Sequence, residues 1–150
     1  MIKNKVSSRL LSKNFTLREL THTDTGLPND PDMIEAAYLS LLARTLLQPI
    51  RNRWGRIKIT SGFRCQAVNK KVGGNPESQH PKGEAADILP VEADINDVMK
   101  WIVKESGLNF GQCIIETVNS RKWIHISLLR GDKPNQVAMS YDGEKYKIYV

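Results

Sequence analysis

From Pro31 onward the apolar residues Met33, Ile34, Ala37, Leu41, Leu42, Leu46 and Ile50 recur at three- and four-residue intervals. That spacing lines one face of a helix. Asp30 or Asp32 can accept its first free N–H groups, so the pattern predicts a core-facing helix ending near Trp54-Gly55. Before it, Asn14 to Asp32 is rich in Thr, Asp, Asn, Gly and Pro and reads as an irregular arm around a helical turn, Leu17 to Leu20. Arg56 to Thr60 alternates apolar and polar residues as a short strand does. A second helix is predicted over Gln66 to Val72, stopped by Gly73-Gly74. Glu84 to Leu89 reads as a buried strand closed by Pro90. Asp94 then caps an amphipathic helix through Glu105, with Ile95, Val98, Met99 and Ile102 on one face. Three strand signals follow: Gln112 to Val118, Lys122 to Leu129, and Ala138 to Val150 folded on Asp142-Gly143. Helices come early and strands late, which predicts an α+β fold with a mostly antiparallel sheet packed with helices.

The chain has 150 residues and no internal repeat or long linker, which predicts one domain over 1–150 with residues 1–13 as a flexible lead-in. Hydrophobic residues at 40% and charged residues at 25% are ordinary globular values and exclude disorder as the general state. No apolar run approaches the roughly 20 residues of a membrane span. Cys65 and Cys113 are too few and too far apart for a disulfide framework or a metal knuckle and read as buried thiols. The net charge of +6 favours an anionic partner, which could be nucleic acid, a membrane surface or an acidic cell-wall polymer. The start, MIKNKVSSRLLSKNF, has no apolar core of a signal peptide, so the expectation is synthesis in the cytoplasm without one.

Of three histidines, His22 sits in a polar loop and reads as exposed and uninvolved. His80 lies in a polar stretch, Ser78-Gln79-His80-Pro81-Lys82-Gly83, that feeds the strand holding Asp87. His125 lies on a strand where alternation sets it on one face with Trp123 and Ser127, opposite Ile124 and Ile126. Two imidazoles and a carboxylate make the kind of three-ligand set that catalytic zinc sites use, with water in the remaining position. The plainer alternative is a core or surface histidine and a turn-capping aspartate. Without an HExxH helix, any such site must be assembled from residues distant in sequence.

Ser78, His80, Gly83, Ala85 and Asp87 fill a Ser-x-His-x-x-Gly-x-Ala-x-Asp pattern. It resembles the signature of the zinc D,D-peptidase family, which includes D-Ala-D-Ala dipeptidases and carboxypeptidases, phage L-alanyl-D-glutamate endolysins and the Hedgehog signalling domain. Ser61-Gly62-Phe63-Arg64, with Asn69 and Val72-Gly73-Gly74, is similar to the family's Ser-Gly-Tyr-Arg segment. Trp123-Ile124-His125-Ile126-Ser127 resembles the block that delivers the last ligand. The likeness runs from about Asn14 to Leu128. It implies a Hedgehog/D,D-peptidase-like α+β fold and one zinc ion held by His80, Asp87 and His125.

A zinc hydrolase also needs a proton acceptor beside its water. Glu116, a polar residue ending an apolar strand, is the candidate, because a hairpin through Asn119-Ser120 brings it alongside His125; Glu84 is the weaker rival. Arg64 matches the family's substrate arginine, and its planar fork suits a carboxylate or a developing oxyanion. Ser78 and Ser127 read as ordering hydroxyls, with Ser78 at the substrate edge, and Trp123 forms an apolar wall for substrate or simply packs. Two positions depart from the family: Lys122 stands where an acidic residue is frequent, and Trp123 where a second histidine is. The resemblance therefore implies a monomeric zinc metallopeptidase cutting peptidoglycan stem peptides, as endopeptidase or carboxypeptidase, with anionic cell-wall polymer as a further partner. Its small size is similar to phage or prophage enzymes, which act at the wall after holin-type release or as a virion component. The alternative is a zinc-containing, catalytically inactive module that binds cell wall or protein. Specific nucleic-acid binding has no motif to support it.

Overall fold

A computed structural model describes residues 9–130 and 137–149. The chain starts with a two-stranded ribbon, β1 (Leu10–Ser12) and β2 (Phe15–Thr16), which runs into α1 (Leu17–Thr21). Thr16 and Glu19 form a reciprocal cap at the α1 start, each side chain bonded to the other's backbone N–H. Residues 10–12 were expected in the flexible lead-in, but they are a strand instead: Leu11 is buried, and Ser12 Oγ donates to Gln48 Oε1 at 2.8 Å. Residues 1–8 of that lead-in lie outside the described part, as do 131–136 of the loop after Arg130.

The long helix is one continuous rod over 33–54 built in three pieces: α2 (Met33–Leu42), a π-helical turn (Ala43–Leu47) and α3 (Gln48–Trp54). Asp32 is the residue that caps it, accepting from Glu35 N at 2.7 Å. Pro49 explains the wide turn. A proline inside a helix lacks the N–H of that turn and crowds the carbonyl four residues back, and a π turn relieves both by lengthening the reach of the backbone bond.

The buried face of this helix is only in part the expected one: Leu42, Leu46 and Ile50 are buried as the spacing predicts, while its first turns differ. Leu39, Leu42, Ala43, Leu46, Leu47 and Ile50 enter the core, whereas Met33, Ile34 and Leu41 are exposed. Both sets fit a helical period; packing against the sheet selects the second, and the extra residue of the π turn shifts the phase between its two ends.

The remaining strands form one six-stranded sheet in the order β3-β4-β6-β5-β7-β8, with β3 Ile57–Ser61, β4 Ala85–Pro90, β5 Phe110–Val118, β6 Arg121–Leu128, β7 Val137–Tyr141 and β8 Tyr146–Ile148. All neighbours are antiparallel except the parallel pair β5–β7. A short α4 (Gln66–Lys71) and a single 3-10 turn (His80–Lys82) lie between β3 and β4, and α5 (Ile95–Lys104) follows β4 with Asp94 as its cap. The fold is thus the expected α+β arrangement.

Strand alternation divides the sheet's two faces. Ala86 and Ile88 of β4, Cys113 and Ile115 of β5, and Ile124 and Ile126 of β6 belong to one hydrophobic core with Leu42, Leu46, Ile50, Val98, Met99 and Ile102 of the helices. Burying such side chains stabilises the fold by roughly 1.5–3 kcal/mol each. The residues between them in sequence, Asp87, Ile114, Glu116, Trp123 and His125, necessarily point to the other face. Helices cover one side of the sheet, and the site lies on the side they leave open. Cys113 is a buried free thiol as expected, with burial pushing its pKa up; Cys65 is also free but only half-buried.

Candidate active site

The sheet register assembles the centre. Asp87 on β4 pairs with His125 on β6, and His125 pairs with Ile114 on β5, which in turn faces Met139 on β7. The neighbouring row on the same face holds Trp123 opposite Glu116, followed by Tyr141. His80 reaches this face from the 3-10 turn. Its approach depends on Gly83, which adopts φ 75 and leaves no room for a Cβ, since one would lie 2.4 Å from the Glu35 carbonyl oxygen.

His80, Asp87 and His125 converge so that one donor atom of each lies within 4.8 Å of the others. His125 Nδ1 is 2.9 Å and His80 Nε2 3.4 Å from the same oxygen, Asp87 Oδ1. The imidazole planes meet edge to face at 5.2 Å. The other nitrogen of His80 is spoken for: Nδ1–H donates to the Gly62 carbonyl at 2.7 Å. That bond leaves Nε2 as an unprotonated lone pair aimed into the cluster. Nε2 is buried and has no hydrogen-bond partner. A buried lone pair beside a carboxylate and a second imidazole is the donor set a cation such as zinc satisfies, so the residues fit a metal.

Electrostatics agree with that arrangement. Burial pushes the His80 pKa below its ordinary value against the pull of Asp87, so the ring is neutral near pH 7. Burial by itself would raise the Asp87 pKa, but the pull of His80 whenever that ring takes up a proton, and the hydrogen bond of His125, outweigh it and hold the carboxyl well below the usual carboxylate range. A neutral imidazole and an ionised carboxylate are the ligand-competent forms.

Around the cluster runs a cleft of about 820 Å³. Asn75, Glu77, Ser78 and Gln79 form a polar wall, while Ile114, Trp123, Val137 and Met139 form an apolar one. Glu116 and Arg64 both line it. Burial, then the nearby Asp87 charge, raises the Glu116 pKa, while His125 and Arg64 draw it back. Arg64 is half-buried, and its Nε has no hydrogen-bond partner. Burial lowers its pKa against the attraction of Asp87 and Glu116, though a guanidinium remains charged at neutral pH.

His80, Asp87, His125, Glu116, Arg64, Ser78 and Trp123 all line one cleft, whereas Glu84 and Ser127 do not. Ser78 Oγ accepts from the His80 backbone N–H at 3.2 Å, an ordering role. Ser127 is buried and accepts from Gln112 N at 2.9 Å, where β5 bulges. Glu84, the rival base, is instead bound to Arg130 Nε at 2.6 Å and Gln79 Nε2 at 2.9 Å. His22 is exposed beside Asp24. Sequence reasoning missed Gly62, whose carbonyl fixes the His80 tautomer, and Gln79 and Arg130, because a backbone acceptor and long-range partners leave no mark in local pattern.

A histidine–aspartate–histidine cluster able to hold a metal ion thus lies on the open face of an α+β sheet, with an acid and an arginine in the same cleft. Residues 12–127 match the model of a peptidase family, Peptidase M15, and the chain belongs to that zinc-dependent family. No curated protein matches the sequence. No helix among the described residues is long and apolar enough to cross a membrane.

Proposed function

We propose that the protein is a zinc metallopeptidase acting on the stem peptides of peptidoglycan, with His80 Nε2, Asp87 and His125 Nδ1 as the zinc ligands. The observation that carries this reading is the buried, unpartnered Nε2 of His80 beside Asp87 and His125, in a cleft that also holds Glu116. Zinc bound there would supply a Lewis acid for the scissile carbonyl and lower the pKa of the hydrolytic water. Glu116 lies one row from His125 on the same face, and such diagonal neighbours are about 7–8 Å apart at their Cα atoms. A glutamate side chain plus one water spans that gap. Its raised pKa suits both halves of general base and acid work: the carboxylate accepts a proton as water adds to the carbonyl carbon, then gives it to the departing amine as the C–N bond breaks. Arg64 offers its fork to a substrate carboxylate or to the oxygen that gains charge, in a partly desolvated site where such contacts are strong. Trp123 and Ile114 provide the apolar wall for the peptide. The +6 charge supports retention on anionic wall polymer.

Lys122 and Trp123 favour a second reading, a zinc-holding module without hydrolysis. Digestion of a defined peptidoglycan, with products identified by mass spectrometry and zinc quantified in the same sample, separates the two. Cleaved stem peptides at one zinc per chain are expected. Bound zinc with no product would establish the binding module, and full activity after exhaustive chelation would overturn the metallopeptidase reading altogether.

A further inference from the structure

Arg64 is aimed without a partner of its own. Among the described residues no carboxylate lies within ion-pair distance of it, and its Nε is unbonded, so the longer-range attraction of Asp87 and Glu116 acts on a side chain whose starting point its backbone sets. That backbone is bound on both sides by one buried side chain. Asn29 Nδ2 donates to the Phe63 carbonyl at 2.8 Å and to the Thr21 carbonyl at 2.9 Å, while Asn29 Oδ1 accepts from the Cys65 N–H at 2.8 Å. Both amide hydrogens and the oxygen are used, and the three bonds tie α1 to the residues flanking Arg64. Phe63 N–H donates to Leu20 O at 2.7 Å, and Arg64 N–H to His80 O at 3.3 Å. Gly62 has backbone against it, since a Cβ there would lie 2.4 Å from Leu20 O. Segment 62–65 is thus clamped between the arm and the His80 turn.

We infer that Asn29 is a positioning residue for the reaction: it sets the direction of the Arg64 guanidinium by holding the backbone on both sides of it. The inference rests on the proposed role of Arg64 in binding substrate or the charged oxygen. Asn29 touches neither, and acts through the loop. A side chain that merely held the fold together would affect stability and act alike whether or not Arg64 is present; a residue that aims Arg64 matters only when there is a guanidinium to aim.

The test is a double-mutant cycle on kcat/KM with the peptidoglycan substrate, using Asn29→Ala and Arg64→Ala singly and together, at matched zinc content and well below each variant's thermal midpoint. Asn29→Ala is expected to lower kcat/KM roughly 10- to 100-fold in the Arg64 protein, the scale of a misplacement of about 1 Å. In the Arg64→Ala protein it should cost less than about twofold. Equal losses in both backgrounds would overturn the inference and leave Arg64's role standing. No loss on Arg64→Ala alone would overturn that role and the inference with it. If Asn29→Ala does not fold, Asn29→Asp, which keeps the acceptor for Cys65 N–H and loses only the donors, takes its place in the same cycle with the same outcomes.

Discussion

Replacing Glu116 by glutamine keeps the shape of the side chain and removes its basicity. The carboxylate lines the cleft one row from His125, a distance that one water would span, and no other acid occupies that row. If it moves the proton, Glu116→Gln should lower kcat by about 10² to 10⁴. At 1.36 kcal/mol per decade that is about 2.7–5.4 kcal/mol of transition-state stabilisation. Zinc content should stay at the wild-type value, because Glu116 is not one of the three converging donors. Stability supplies an independent check of the environment. The folded protein holds the Glu116 pKa above its ordinary value of 4.5, so the group favours folding while protonated, and that contribution is lost as pH rises through the folded value. Metal-free Glu116→Gln should therefore melt at a higher temperature than metal-free wild type at pH 7, and the gap should close below about pH 4. The assay pairs initial rates of peptide release with thermal melts across pH. Undiminished kcat would remove Glu116 from the chemistry, and a lower melting temperature at pH 7 would refute the account of its surroundings.

Other perturbations probe the metal cluster and the scaffold. His80→Ala and Asp87→Asn should each purify with well under one zinc per chain by elemental analysis and show no cleavage; a full complement of zinc in either would exclude that residue as a ligand. Free zinc at 100 times its Kd should raise wild-type stability by about 2.7 kcal/mol, read as a shift of the thermal transition that chelator reverses. Gly83→Ala forces a left-handed conformation and meets the Glu35 carbonyl, so a loss of at least about 1–2 kcal/mol is expected, together with weaker zinc retention. Ile124→Ala opens a cavity where the side chain is fully buried between sheet and helices. A loss of about 2–5 kcal/mol in denaturant melts is expected, with the active site on the opposite face unchanged in kcat per folded molecule.

Much of the scaffold was legible because its causes are local. The Asp94 cap, the alternation of Ile124, His125 and Ile126, and the turn at Asn119-Ser120 each follow from neighbouring residues, and each element appears where the pattern put it. Alternation also carried the main functional clue: a histidine between two isoleucines must leave the core face. The long helix shows the limit. Met33, Ile34 and Leu41 fit a helical stripe as well as Leu39, Leu42 and Leu46 do, and only the sheet beneath decides which stripe is covered. Pro49 was visible in the sequence, yet the π turn it accompanies shifted the phase that a uniform 3.6-residue period assumes.

For the site itself, residue types and spacing left a plain core histidine and a turn-capping aspartate open, and the pattern from Ser78 to Asp87 pointed to a metal site through its resemblance to the zinc D,D-peptidase signature. Tertiary structure decided their relation. The pairing of Asp87 with His125 across 38 positions, the Gly62 carbonyl that leaves His80 Nε2 bare, and the withdrawal of Glu84 into its bonds with Arg130 and Gln79 are all long-range. Asn29 is the clearest case. In sequence it is one more polar residue of a Pro-Asn-Asp turn, and its three hydrogen bonds exist only because folding brings α1 and the Arg64 loop to either side of it. Local pattern reports which face a side chain takes; a hydrogen-bond partner eight or thirty-four residues away is set by the packing of whole elements.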